Sequence, residues 1–161
     1  MSAPNIVTTD LTIGTLIASG VGRQLVPFYV ELSKIVNSTD LITAFPWTFK
    51  GRILAMDFVT QTKVTTGSKA ATLTPKLKSG STTTAVTGGV VALTSALCTP
   101  EGAVIAGSAV TAANSFASGD SLTISATSVT AFVEGTGWLL LTVINDDTLG
   151  AVARSMAMFT T

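Results

Sequence analysis

The chain has 161 residues, enough for one domain that buries its own core. Only 11% of them are Asp, Glu, Lys or Arg and the formal net charge is zero, which excludes the overall basic field that draws proteins to nucleic acid. Histidine is absent and there is one cysteine, which excludes His-dependent nucleophilic pairs, His metal ligands, Cys-rich zinc sites and an intramolecular disulfide framework.

Polarity comes from neutral hydroxyls, with 28 Thr and 15 Ser. Thr is β-branched and suits a pleated surface, so the composition predicts an all-β protein. Residues 1–22 are small, polar and Gly-punctuated, and are expected to form an extended N-terminal arm. They lack the basic and apolar regions of a signal peptide, which predicts a chain kept in a cytoplasm or in a particle assembled there. Residues 23–161 are expected to form a single domain. In QLVPFYVELS (24–33), Phe28, Val30 and Leu32 alternate with Tyr29, Glu31 and Ser33, and Pro27 places this strand at an edge or at its own start. Asn37 to Asp40 reads as a turn and Phe45-Pro46-Trp47 as an ordered loop.

Ile53 to Gln61 reads as a strong strand, with Leu54, Met56 and Phe58 on one face and Asp57 on the other. Ala71 to Lys78 sets Leu73 and Leu77 against Thr72, Thr74, Lys76 and Lys78. SGSTTT (79–84) reads as a loop, and Gly88-Gly89 as a bulge or tight turn. Residues 79–100 carry no charge, but their Ser, Thr and Gly content does not make a membrane span. A short apolar run covers 102–107. Residues 108–119 look loop-like, with SAVTAAN able to form a helical turn. Leu122 and Ile124 point inward from the next strand. SVTAFVEGTGWLLLTVIND (128–146) looks like a β-hairpin around Glu-Gly-Thr-Gly. A last strand is expected over Arg154 to Phe159. The predicted fold is an antiparallel β-sandwich or jelly-roll-like barrel of about eight short strands.

No catalytic pattern emerges, and neither an enzyme nor a cofactor is expected. Asp146 and Asp147 are adjacent and would diverge in extended chain, so they read as strand-ending turn residues and not as a hydrolytic pair. Glu134 reads as a solvated turn tip and Cys98 as a small buried hydrophobe. Trp47 and Trp138 read as core residues before ligand platforms, because no basic groove accompanies them. Charge is segregated: residues 50–78 hold Lys50, Arg52, Lys63, Lys69, Lys76 and Lys78 against Asp57 alone. Residues 79–161 hold Glu101, Asp120, Glu134, Asp146 and Asp147 against Arg154 alone. These groups pair within the chain, face solvent, or match subunits head to tail.

The phrases VTTGSKAATLTPKL, TAVTGGVVALTSALCTP, GAVIAGSAVTAANSFASGDSLTISATSVTAFVEGTG and WLLLTVIND resemble small structural proteins of tailed bacteriophages. They are similar to head decoration, or cement, proteins. The resemblance spans Gly51 to Asp147 and carries no catalytic signature. It implies a sandwich or jelly-roll module on the outer surface of a virion capsid, assembled in the host cytoplasm. Such a module bridges neighbouring subunits of the major capsid protein, commonly as a homotrimer. It implies no nucleic-acid or membrane partner.

From Trp138 to Ile144 both faces of the strand are apolar, whereas an antiparallel strand ordinarily leaves one face to water. A symmetric neighbour, the capsid or the chain's own N-terminal arm would supply the second cover. Phe45, Trp47, Trp138, Leu140, Met156 and Met158 are the interface candidates. The alternative function is a tail, baseplate or head-fibre module that recognises a host surface glycan or protein through exposed aromatics, the 45–47 loop being the best candidate.

Overall fold

The computed structural model describes residues 22–148. In chain order the strands are β1 (Arg23–Glu31), β2 (Asp40–Pro46), β3 (Gly51–Thr62), β4 (Ala70–Ser79) and β5 (Thr82–Ala85). They continue with β6 (Val91–Thr94), β7 (Val104–Ala106), β8 (Ser115–Phe116), β9 (Ser121–Thr130) and β10 (Thr136–Asn145). One 3-10 turn, Leu32–Lys34, follows β1. The first sheet runs β1-β10-β3-β7, with β8 also paired to β3. The second runs β2-β9-β4-β5, with β6 paired to another stretch of β4. Every pair is antiparallel, so the fold is an all-β antiparallel sandwich.

Alternation explains how the layers meet. The first sheet turns Val30 of β1, Met56 and Phe58 of β3, and Leu139, Leu141 and Val143 of β10 inward. The second sheet answers with Ala71, Leu73 and Leu77 of β4, Leu122, Ile124 and Ala126 of β9, and Val91 and Leu93 of β6. Burying each of these side chains larger than Ala stabilises the fold by about 1.5–3 kcal/mol relative to leaving it exposed. One end of the sandwich is closed by Leu32, Ile35, Val64, Cys98 and Phe132, all buried.

Several expectations shift. The 128–146 stretch is not a hairpin: β9 belongs to the second sheet and β10 to the first, so residues 131–135 cross between layers. Phe132 is buried in that crossing. Gly135 adopts φ +97, and a Cβ there would meet the Val64 side chain at 2.6 Å, so the crossing needs glycine. SGSTTT forms a true hairpin instead of a loop: Ser79 pairs with Thr82 around Gly80-Ser81, and Thr82 to Thr84 extend as β5. Residues 108–119 contain no helical turn; Ala112 bridges to Thr87, and Ser115–Phe116 forms β8. In β3 the pairing shifts at Leu54, so Ile53 replaces Leu54 on the face that holds Met56 and Phe58. The described residues alone form ten strands where about eight were expected of the whole chain, because β7 and β8 are too short to show a period. The arm at 1–22, up to Val21, and the strand at 154–159 lie outside the described residues.

Candidate functional site

The outer face of the first sheet is built by the odd-numbered residues of β1 and their partners. In register, Tyr29 sits beside Trp138, and Trp138 beside Val59. Pro27 sits beside Leu140 and Leu140 beside Asp57, while Leu25 sits beside Thr142 and Thr142 beside Ala55. Val104 and Ala106 of β7 extend the rows from Val59 and Asp57. The large side chains stay open to solvent: Leu25 is 57% exposed, Tyr29 50%, Val104 67% and Trp138 39%. Tyr29 and Trp138 make an edge-to-face pair with centroids 5.3 Å apart. Asp57 is the charge within these rows, and its carboxylate accepts the Gly107 N–H at 3.2 Å. At the far end of the β10 row Ile144 is fully buried although it lies off the central core, between Arg23 and Arg52 in the register.

The outer face of the second sheet is different in kind. β4 presents Thr72, Thr74, Lys76 and Lys78, and β9 presents Ser121 and Thr123 beside Lys78 and Lys76. The apolar surplus is thus confined to one side of the sandwich. The closed end adds a smaller apolar display, with Val36, Leu97 and Val133 exposed in its loops.

The interface candidates separate. Trp138 and Leu140 lie on the open face of the first sheet, Leu140 half-buried. Their shared side is the outer one, so the expectation that Trp138 belongs to the core is corrected. Trp47 is only 2% exposed, stacks on Phe116 at 4.1 Å and meets Phe45 and Phe49 edge-to-face. Phe45, half-buried, also packs on Phe28 of the opposite sheet, with centroids 5.1 Å apart. Phe45 and Trp47 therefore help to seal the sandwich, Trp47 as the core residue expected; Phe45 and Pro46 end β2 and the buried Trp47 follows it, so the run is not an open aromatic loop. The indole N–H of Trp47 is buried without a hydrogen-bond partner among the described residues. Met156 and Met158 lie outside the described residues. Leu25, Tyr29 and Val104 were missed as a patch. Their signal was the run Leu25, Pro27, Tyr29 on the side of β1 read as polar from Glu31.

The acidic groups serve mainly as hydrogen-bond acceptors. Oε1 of Glu134 accepts the backbone N–H and the hydroxyl of Thr65 at 2.7 and 2.6 Å, and those of Thr66 at 2.7 and 3.0 Å. The Thr65 hydroxyl, followed by its N–H and the Thr66 donors, pulls the carboxyl pKa down to about 2. Glu134 is therefore a clamp and not a free turn tip. Asp120 accepts the Ala117 N–H at 2.8 Å, and that bond leads the lowering of its pKa. Asp146 pairs with Arg52 at 3.0 Å and Asp147 accepts the Lys50 N–H at 3.3 Å, so the basic and acidic stretches of the sequence meet inside one chain here. Cys98 is buried, which raises its pKa and makes it an inert thiol.

Two shallow depressions of about 260 Å³ are present, one beside Leu77, Thr84, Asn114 and Asp120 and the other between Tyr29, Lys34 and Ile42. Among the described residues there is no group of three or more His, Cys, Asp or Glu placed to hold a metal, and no helix long and apolar enough to cross a membrane. In comparisons with known proteins, no family model, no curated relative and no solved structure matches the chain.

Proposed function

We propose that this chain is a non-enzymatic structural protein of a bacteriophage particle, bound to the outer surface of the capsid, where it stabilises the shell by bridging neighbouring subunits. One observation carries the reading: the outer face of the first sheet gathers Leu25, Pro27, Tyr29, Trp138, Leu140, Val59 and Val104 where a solitary sandwich would face water. Covering such a face gains about 25 cal/mol for each Å² of apolar surface removed from water, less the costs of association. A protein whose work is assembly has use for that gain. The phage setting comes from the resemblance in the Thr/Ala/Gly phrases. The test is co-sedimentation of the purified chain with undecorated capsids of the phage that encodes it. Retention on the shells is expected, with loss when Trp138 and Leu140 are both changed to Lys. Absence of binding to saturable sites, or retention indifferent to those changes, would overturn the proposal.

A host-binding tail, baseplate or head-fibre module is the second reading, favoured by the exposed Tyr29–Trp138 pair. Sugars stack on such rings. Specific capture on an array of host glycans, lost on Trp138→Ala, would support it over the first.

A further inference from the structure

We infer that the cover over the outer face of the first sheet is a second copy of this chain, packed face to face about a two-fold axis that crosses the strands near Pro27. The inference rests on the assembly reading above; it puts the second copy and not the shell on this face, so the Trp138 and Leu140 changes act on shell retention by breaking the pair that binds.

The order of residues along β1 carries the inference. Its outward row reads Arg23, Leu25, Pro27, Tyr29, Glu31: a cation at one end, an anion at the other, uncharged groups between. Both charged ends are exposed, and neither forms an ion pair with another described residue. A two-fold contact must be self-complementary, because the same patch meets itself. An axis lying between the sheets and across the strands reverses the row. Arg23 of each copy then meets the partner's Glu31, Tyr29 meets the partner's Leu25, and Leu140 meets the partner's Leu140. The ion pair forms twice, at the rim, where charge sets register.

The edge of the same strand argues for packing by face. Leu32 N–H donates to the Gly135 carbonyl at 2.9 Å, continuing the pattern by which even-numbered backbone groups of β1 face β10. The odd-numbered groups face the edge that no other described strand pairs, and there Pro27 has no N–H to give. A proline in the middle of an edge blunts strand addition, so a neighbour on this side is directed to the side chains.

One feature of the face opposes the contact and makes it recognisable. Pro27, Leu140 and Asp57 lie on one row, so the axis brings Asp57 towards the partner's Asp57. Like charges weaken the pair. Replacing Asp57 with Asn keeps an oxygen for the Gly107 N–H and removes the repulsion.

Sedimentation equilibrium of the full chain at low salt tests this. A dimer is expected. Arg23→Glu and Glu31→Arg should each weaken it roughly tenfold, since two attractive rim pairs become repulsive. The double variant Arg23→Glu/Glu31→Arg should regain the original affinity, and Asp57→Asn should tighten it. A monomer, a trimer, or a dimer indifferent to the single reversals or not restored by the double would overturn the inference. Capsid binding is read separately: an intact dimer that ignores shells counts against the capsid reading alone. A shell-binding monomer counts against the two-fold pair alone.

Discussion

The two outer faces of this sandwich solve the same backbone problem with different side chains. On β4 and β9 the outward positions are Thr72, Thr74, Ser121 and Thr123 with Lys76 and Lys78. On β1, β10 and β7 they are Leu25, Tyr29, Trp138, Leu140 and Val104. Thr and the large apolar residues both favour extended backbone, and both sheets form antiparallel ladders. Strand formation therefore does not require the apolar choice. The second sheet shows that Thr suffices to form such a ladder in this chain, so the exposed apolar side chains of the first sheet are not required for strand formation.

The sharpest break in that comparison runs through β10 itself, between its inner and outer sides. Leu141 is fully buried between the layers, and Leu141→Ala should cost about 2–5 kcal/mol in a urea titration. Gly137 comes next. A Cβ there would meet the Phe58 ring at 2.2 Å and the Val59 carbonyl oxygen at 2.4 Å, so Gly137→Ala should overpack the inner face and lose about 1–3 kcal/mol. On the outer side, the double change Trp138→Thr/Leu140→Thr rewrites the first sheet in the style of the second. The monomer should lose about 1 kcal/mol or less, while self-association and shell retention, read by sedimentation, should collapse. Thr74→Ala, the matching change on the second sheet, should alter stability by about 0.5 kcal/mol or less and leave association untouched.

Much of the architecture is legible along the chain because alternation is local. Leu73 and Leu77 against Thr72, Thr74, Lys76 and Lys78 define β4 and its buried side without reference to any other segment. Pro27 places β1 at an edge or at its own start, and among the described strands it is an edge. The placement of β9 and β10 in different sheets is not legible, because a turn signal joins two strands whether they lie side by side or in facing layers. What decides is Phe132, whose burial draws residues 131–135 across the end of the sandwich, and an isolated aromatic in a turn does not announce that. The bulge at Leu54 is hidden for a related reason: one extra residue inverts the alternation, and only the partner strand reveals it. For the candidate site, the two apolar sides of Trp138 to Ile144 are legible in the sequence, and the structure leaves Trp138 exposed and Leu140 half-buried on the outer one. Trp47 reads both as core and as an interface candidate, and Phe45 as an interface candidate, because size and hydrophobicity do not distinguish a residue that seals a core from one that seals an interface; burial bears out the core reading of Trp47. Their packing with Phe116 and Phe28 makes the distinction.

The smallest expected effect concerns what keeps the two faces in fixed relation. Glu134 lies in the crossing from β9 to β10, and Thr65 and Thr66 lie in the crossing from β3 to β4. Its carboxylate thus ties together two connections that each pass between the sheets. The donors hold its pKa at about 2 in the folded protein against an ordinary value of 4.5. A carboxyl depressed on folding stabilises the fold fully above its unfolded value, and that contribution fades as pH falls from about 4.5 towards 2. The wild-type protein should therefore lose stability across that window beyond any general acid effect. Glu134→Gln keeps an acceptor oxygen but carries no charge to titrate, so the difference in urea midpoint between the two proteins should shrink as the pH is lowered. The clamp sits in solvent, and the difference will be modest even at neutral pH. A midpoint difference that stays constant from about pH 5 to pH 2 would show that the four donors hold Glu134 no more tightly than water does, and that the layers are kept in register by the core alone.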